Sequence, residues 1–148
     1  MRLYPPVALL TREAIADDVM LGVPVPARTI VLISPYVLHR HRRLWEAPDA
    51  FDPSRFLGER RERIDRFAYI PFGAGPRVCI GMSFAMQEAV IVLANFLRAF
   101  RFELVDGQTV APRQRVTLRP QNGLKMHARR RFSASRSKSG SRPPMSKM

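Results

Sequence analysis

The apolar positions along the chain follow several periods, and each predicts a different element. Asp17–Pro26 and Thr29–Ser34 read as two β-strands around a turn, the second rich in β-branched residues. From Met82 to Phe100, the residues Phe84, Ala85, Glu88, Ile91, Val92, Asn95 and Phe96 fall on spacings of three and four, which predicts a long helix. Apolar residues occupy most of its faces, so the helix is expected to be buried on several sides. Phe100–Val105 alternates and reads as a strand ended by Asp106-Gly107. Arg115–Pro120 and Leu124–Ala128 read as two more strands about Gln121-Asn122-Gly123, because Asn-Gly favours a tight turn.

Between these elements the pattern is less regular. Val7–Arg12 is predicted to be extended, and Pro35–His41 to open a short helix ending near Leu44-Trp45. The prolines of Pro48–Phe56 lower its regular structure. Gly58–Asp65 carries mixed charge and is expected to be a solvated loop, after which Phe67, Tyr69, Ile70 and Phe72 pack beneath the next segment. The sum is an α+β chain. From Ser133 onward Ser, Arg, Lys, Gly and Pro dominate and aromatics vanish, so 1–132 is expected to fold and 133–148 to be a basic disordered tail.

Charge changes this picture only in part. The 148 residues carry a formal net charge of +13, which raises a basic nucleic-acid or acidic-surface binding protein as an alternative function. Residues 129–148 hold +7 of that charge with no acid, leaving +6 on the remaining 128, and no RNA- or DNA-reading motif accompanies it. Nucleic acid is therefore not expected as a partner. A single cysteine excludes an internal disulfide and fits a reducing compartment. No apolar run is long enough to span a bilayer, and no signal-peptide pattern follows Met1, so a cytoplasmic location without a membrane span is expected.

That cysteine sits in the most informative stretch, Pro71-Phe72-Gly73-Ala74-Gly75-Pro76-Arg77-Val78-Cys79-Ile80-Gly81, immediately before the predicted helix. Gly73, Gly75 and Gly81 allow a bent backbone that can approach something flat. Cys79 is delivered to the start of a helix, where free backbone N–H groups and the helix dipole favour a thiolate over a thiol. A thiolate is a good soft ligand for iron. Arg77 offers a fixed cation with fork geometry suited to a carboxylate, and Phe72 can cover the sulfur. His39 and His41 form an H-x-H pair, but the only other histidine is His127, too few ligands for zinc; partly exposed structural histidines are expected instead.

The spacing F-G-x-G-x-R-x-C-x-G, followed by Phe84-Ala85-x-x-Glu88, resembles the haem-ligand loop and following helix of the cytochrome P-450 superfamily. Pro48-x-x-Phe51-x-Pro53-x-Arg55-Phe56 and Pro120-x-Asn122-Gly123-Leu124 resemble further segments of that family. The resemblance covers roughly residues 2–131 and implies the C-terminal part of the P-450 fold, incomplete, in a chain expected to be a truncated fragment. It implies haem b with Cys79 as axial ligand, whose electron push favours O–O cleavage. Arg77 and Arg12 would hold propionates, Phe72 and Gly73 would frame the loop, and amides near Ile80 and Gly81 would tune the iron. Val7, Ala8 and Leu9 would contact a small organic substrate. The implied activity is O2-dependent oxidation or hydroxylation, with a ferredoxin or flavoprotein reductase as electron donor meeting Arg42, Arg43, Arg60 and Arg61. Arg2 occupies the arginine of the family's Glu-x-x-Arg, without its Glu, so Arg2 and Arg55 would face each other lacking their shared acceptor. Such a pair is costly when shielded from water, which favours a solvated Arg55.

Overall fold

The computed structural model describes residues 1–131, so the basic tail expected from 133 lies outside the described residues. The elements are β1 (Leu10–Glu13), β2 (Asp18–Met20), β3 (Val23–Val25), β4 (Ile30–Ile33), α1 (Pro35–Leu38), α2 (Gly58–Glu62), α3 (Met82–Ala99), β5 (Phe100–Leu104), β6 (Pro112–Gln114), β7 (Leu118–Pro120) and β8 (Met126–Arg130), with 3-10 turns at Pro53–Phe56 and Gly75–Arg77. Among the described residues the strands form two-stranded antiparallel ribbons: β1 with β4, β2 with β3, β5 with β8, and β6 with β7.

Most strands fall where the hydrophobic pattern puts them, but β6 (Pro112–Gln114) is unannounced, only Leu118–Pro120 of Arg115–Pro120 is strand, and the pairing differs. Asp17–Pro26 is not one strand: Leu21 and Gly22 both take positive φ (52° and 82°), folding the segment into the β2–β3 hairpin. β4 pairs instead with β1, Leu10 opposite Ile33 and Glu13 opposite Ile30. Likewise Gln121-Asn122-Gly123 turns the chain, with Gly123 at φ 75°, yet it does not join a hairpin. The strand before it pairs back to β6, and the strand after it pairs with β5, Phe100 opposite Arg130. Gly58–Asp65 is not wholly a loop, since α2 occupies its first part with Glu59 in the first turn and Arg60 and Arg61 in the last, the arrangement the helix dipole favours. α1 is a single turn capped by Ser34 Oγ, which accepts from the Val37 amide at 3.3 Å, and the chain leaves it in further turns toward Trp45.

The core lies at the junction of the N-terminal segment, α1 and the stretch before the cysteine loop. Trp45, Ala68 and Ile70 are its buried apolar residues, joined by buried Arg2, His39 and Arg55 and by Pro5 and Pro35. Aromatic rings close it, with Phe56 and Tyr69 at 4.8 Å between centroids, His39 and Tyr69 at 5.2 Å, and the Arg2 guanidinium 5.0 Å over Trp45. Phe67 does not join this layer. It is exposed, with the Arg66 guanidinium 4.3 Å from its ring.

α3 departs most from expectation. It runs unbroken for 18 residues, and β5 follows with no intervening loop, Phe96 packing edge-on against Phe102 at 6.2 Å. Against the described residues, however, no side chain of α3 is buried. The pattern that predicts a helix covered on several sides is present, and the covering is not. Met86, Val90, Leu93 and Leu97, spaced four, three and four apart, line one exposed stripe. Contiguous exposed apolar surface of this kind drives association. Sedimentation velocity is expected to show concentration-dependent self-association of the chain, and Leu93→Glu is expected to reduce it while leaving helicity intact.

Candidate functional site

The loop that carries Cys79 is built by its glycines and by backbone hydrogen bonds. The Gly73 amide donates to the Ile70 carbonyl at 3.0 Å, turning the chain at Gly73, φ 79°. Gly75, φ 73°, opens the 3-10 turn that ends at Arg77, and the Val78 amide closes it on the Gly75 carbonyl at 3.1 Å. The chain then doubles back, and the Cys79 amide donates to the Phe72 carbonyl at 2.9 Å. The Met82 amide donates to the Cys79 carbonyl at 3.2 Å, so the cysteine sits one turn ahead of α3, with Gly81 as its N-cap. A Cβ on Gly73 would meet the Leu10 side chain at 3.8 Å, ordinary contact, so the demand for glycine there comes from φ rather than space. Gly73→Ala is expected to destabilise the fold by about 1–2 kcal/mol. Gly81→Ala, at φ −83°, is expected to cost less than about 1 kcal/mol in the same chemical-denaturation measurement.

Cys79 is exposed, as are Arg77, Val78 and Ile80 beside it, while Phe72, Gly73 and Gly81 are half-buried. Among the hydrogen bonds of the described residues, the Ile80 and Gly81 amides are not donors. Phe72 contributes to the loop chiefly through its carbonyl. Val7 and Ala8 are half-buried and Leu9 is exposed. Their extended segment is pinned by two hydrogen bonds: the Leu118 amide donates to the Pro6 carbonyl at 2.8 Å and Ser34 Oγ to the Ala8 carbonyl at 3.0 Å. The first of these brings the β6–β7 hairpin beside the Val7–Leu9 segment, a neighbour the sequence does not announce because the two are remote in the chain. Leu10 reaches the cysteine loop at Gly73. Arg12 is exposed and donates to the Thr11 carbonyl at 2.8 Å; it lines a cavity of about 350 Å³ whose wall includes Glu13, Asp17 and Asp18 rather than Cys79 or Arg77.

Beneath the loop, both histidine and arginine expectations change. His39 is fully buried, not partly exposed. Its Nε2 accepts the Ile70 amide at 2.9 Å, which leaves Nδ1 to carry the proton and donate to the Arg2 carbonyl at 3.3 Å. Burial, chiefly, pushes its pKa down to about 4, so the ring is neutral. Arg55 is likewise buried rather than solvated. Its Nη2 donates to the Ala47 carbonyl at 3.2 Å, its Nε stands 3.8 Å from Asp52, and that Nε has no hydrogen-bond partner among the described residues. Arg2 spends its guanidinium on the carbonyls of His39, Pro48 and Ala50. Burial first, and then the nearby Arg55 charge, lower the Arg2 pKa. Backbone carbonyls thus take much of the load that a shared carboxylate would carry, which is why two buried cations coexist. The basic residues expected at a docking face, Arg42, Arg43, Arg60 and Arg61, are all exposed, and Arg60 is also engaged by Asp52 at 3.1 Å.

The donor set defines what the loop can hold. Among the described residues, no group of three His, Cys, Asp or Glu side chains could hold an ion. A bare metal ion therefore finds too few ligands. A flat group that brings its own equatorial nitrogens needs one axial donor, an apolar face and a cation for its acid edge, and Cys79, Val78 with Ile80, and Arg77 supply these types. The residues present fit haem.

A strand ribbon, a glycine-bent loop with one thiol and a long helix entered directly after it match the layout that the sequence resemblance to the cytochrome P-450 superfamily implies. The comparisons agree: the Cytochrome P450 family model matches residues 1–128, and the chain belongs to that family. It is 42% identical over 118 residues to cyclooctatin synthase of Streptomyces melanosporofaciens, 80% of this chain and 26% of that protein. It is 39% identical over 127 residues to thromboxane-A synthase of Sus scrofa, 84% of this chain and 24% of that one. The crystal structure of the cytochrome P450DA heme domain superposes with a TM-score of 0.82 at 30% identity, covering 88% of this chain and 29% of that domain. The chain thus spans about a quarter of the length of the curated relatives it matches. Nothing in these matches favours the nucleic-acid alternative. Among the described residues, no helix is long and apolar enough to cross a membrane.

Proposed function

We propose that this chain carries the cysteine-ligating part of the haem site of a P450 monooxygenase, with haem b as cofactor and Cys79 as the residue that would ligate its iron. One observation carries the reading: the only thiol of the chain is exposed at the mouth of α3, in the F-G-x-G-x-R-x-C-x-G loop, inside the family match. Bound there, haem would supply activation of O2 for oxidation of an organic substrate, its thiolate ligand favouring O–O cleavage. The chain's own residues do the holding. The Phe72 carbonyl fixes the Cys79 backbone and so the point from which the sulfur projects. The Ile80 and Gly81 amides, which donate to no other group among the described hydrogen bonds, would be free to donate to the sulfur, and hydrogen bonds from such amides draw charge from a thiolate. Arg77, on a short rigid turn, would pair with one propionate, and Arg12 with another after leaving the Thr11 carbonyl. Val7, Ala8 and Leu9 would form one wall of the substrate site, held in line by the Pro6 and Ala8 carbonyl contacts. Exposed Arg42, Arg43 and Arg61 would meet an acidic ferredoxin or flavoprotein reductase.

The test is spectroscopic. The purified chain is titrated with hemin, reduced and exposed to CO. A red-shifted Soret band of the cysteinate–CO type is the expected result. A band at the position of histidine-ligated or free haem rejects the reading.

A further inference from the structure

Between the buried histidine and the candidate ligand runs a continuous series of hydrogen bonds that the proposed chemistry does not use. His39 Nδ1–H donates to the Arg2 carbonyl, and Arg2 Nη1 donates back to the His39 carbonyl at 2.8 Å, so the N-terminal segment and the end of α1 are clasped to each other. The other ring nitrogen accepts the Ile70 amide at 2.9 Å. The Ile70 carbonyl in turn accepts the Gly73 amide at 3.0 Å, and the Phe72 carbonyl, inside that same turn, accepts the Cys79 amide at 2.9 Å. A fully buried side chain, 31 residues from Ile70 in the sequence, thus reaches the cysteine backbone through one tight turn.

We propose that His39 is a positioning residue for the cysteine loop, its neutral imidazole fixing Ile70 and through it the turn from which Cys79 is hung. The chemistry of the ring suits the task. The Ile70 amide needs an acceptor in a buried place, and the Arg2 carbonyl needs a donor. Neutral imidazole supplies both in one rigid plane, braced by Tyr69 at 5.2 Å. An imidazolium could not accept from Ile70. The charged groups that face the ring are the Arg2 guanidinium, the Met1 amine and Arg40, all cations, so they oppose its protonation along with burial. Among the described residues, the Tyr69 phenol is a further titratable group packed on it.

The loop geometry stands whether or not Cys79 binds iron, while its consequence for the ligand rests on the proposed haem site, so the two are measured separately. On the full chain without haem, amide hydrogen exchange is compared for wild type, His39→Asn, His39→Gln and Cys79→Ser. Asn keeps a donor near the Nδ1 position and loses the acceptor at Nε2, whereas Gln reaches the Nε2 position. His39→Asn is expected to speed exchange about tenfold at Ile70, Gly73 and Cys79 together, as loss of one buried hydrogen bond would. Val92 in α3 should be unaffected, His39→Gln should restore most of the protection, and Cys79→Ser should leave it intact. Acceleration confined to Ile70 overturns the proposal. If His39→Asn does not fold, the wild-type chain decides: the Cys79 amide resonance should shift with the same acid midpoint as the His39 ring nitrogens, and an independent midpoint overturns the proposal. On hemin-loaded protein the Asn variant should shift the cysteinate band and Gln should return it. A hemin spectrum already identical in Cys79→Ser sinks the ligand reading while leaving the exchange result to stand or fall by itself.

Discussion

Replacing Cys79 with serine is expected to abolish the cysteinate-type CO band and to weaken hemin binding by well over tenfold, since even indirect partners of metal sites cost tenfold to about a hundredfold when removed. The argument is one of donor supply. The chain has one cysteine, and among the described residues no other cluster of side chains offers a metal an alternative home. His41 and His127 are exposed and stand as the competing single donors; His39 has both nitrogens committed. Serine keeps the size and the amide that donates to Phe72, so the loop should survive. Because the side chain is exposed, the change should alter folding stability by no more than about 0.5 kcal/mol. Lost spectrum with unchanged stability is the combination that assigns the sulfur to ligation. Retention of the wild-type spectrum in Cys79→Ser would remove the central residue of the site.

The comparison of sequence with structure separates local from long-range information. The cysteine loop was legible because its geometry is carried locally: Gly73 and Gly75 adopt the positive φ that their residue type permits, and Arg77 and Cys79 follow at fixed spacing. Strand segments were legible for the same reason. Strand partners were not, because β4 could pair across the short turn or back to β1, and only the double positive φ at Leu21-Gly22 gives β2 a partner in β3. The buried state of His39 is illegible because it depends on Arg2 and Ile70 arriving from separate segments, and that of Arg55 because its acceptor is the Ala47 carbonyl, which no sequence pattern marks. For α3 the apolar pattern was read correctly and its burial was not, since burial belongs to whatever packs against a helix and the described residues cover little of it. A pattern states what a surface requires; the neighbours decide whether the requirement is met.

Stability of the chain is expected to fall as pH drops from 6.5 toward about 4, by about 3 kcal/mol in total, with His39 as the main source. The sign follows from which state binds the proton. In the unfolded chain the imidazole protonates near 6.5, and in the fold it resists until about 4, because it is buried and faces cations. Between those values the unfolded state holds more protons, so acidification favours unfolding, and below the folded value the slope from this group vanishes. Asp52 acts in the same direction but lower, since the Ser54 hydroxyl, above all, holds its pKa below 3.8. The two contributions therefore occupy different windows. Urea unfolding followed through this range should give a steep loss in wild type and a nearly flat line in His39→Gln, which has nothing to titrate at that position. An unchanged slope in His39→Gln would mean that the buried ring is not the group that couples this fold to acid, and the neutral hydrogen-bonded imidazole beneath the cysteine loop would have to be abandoned with it.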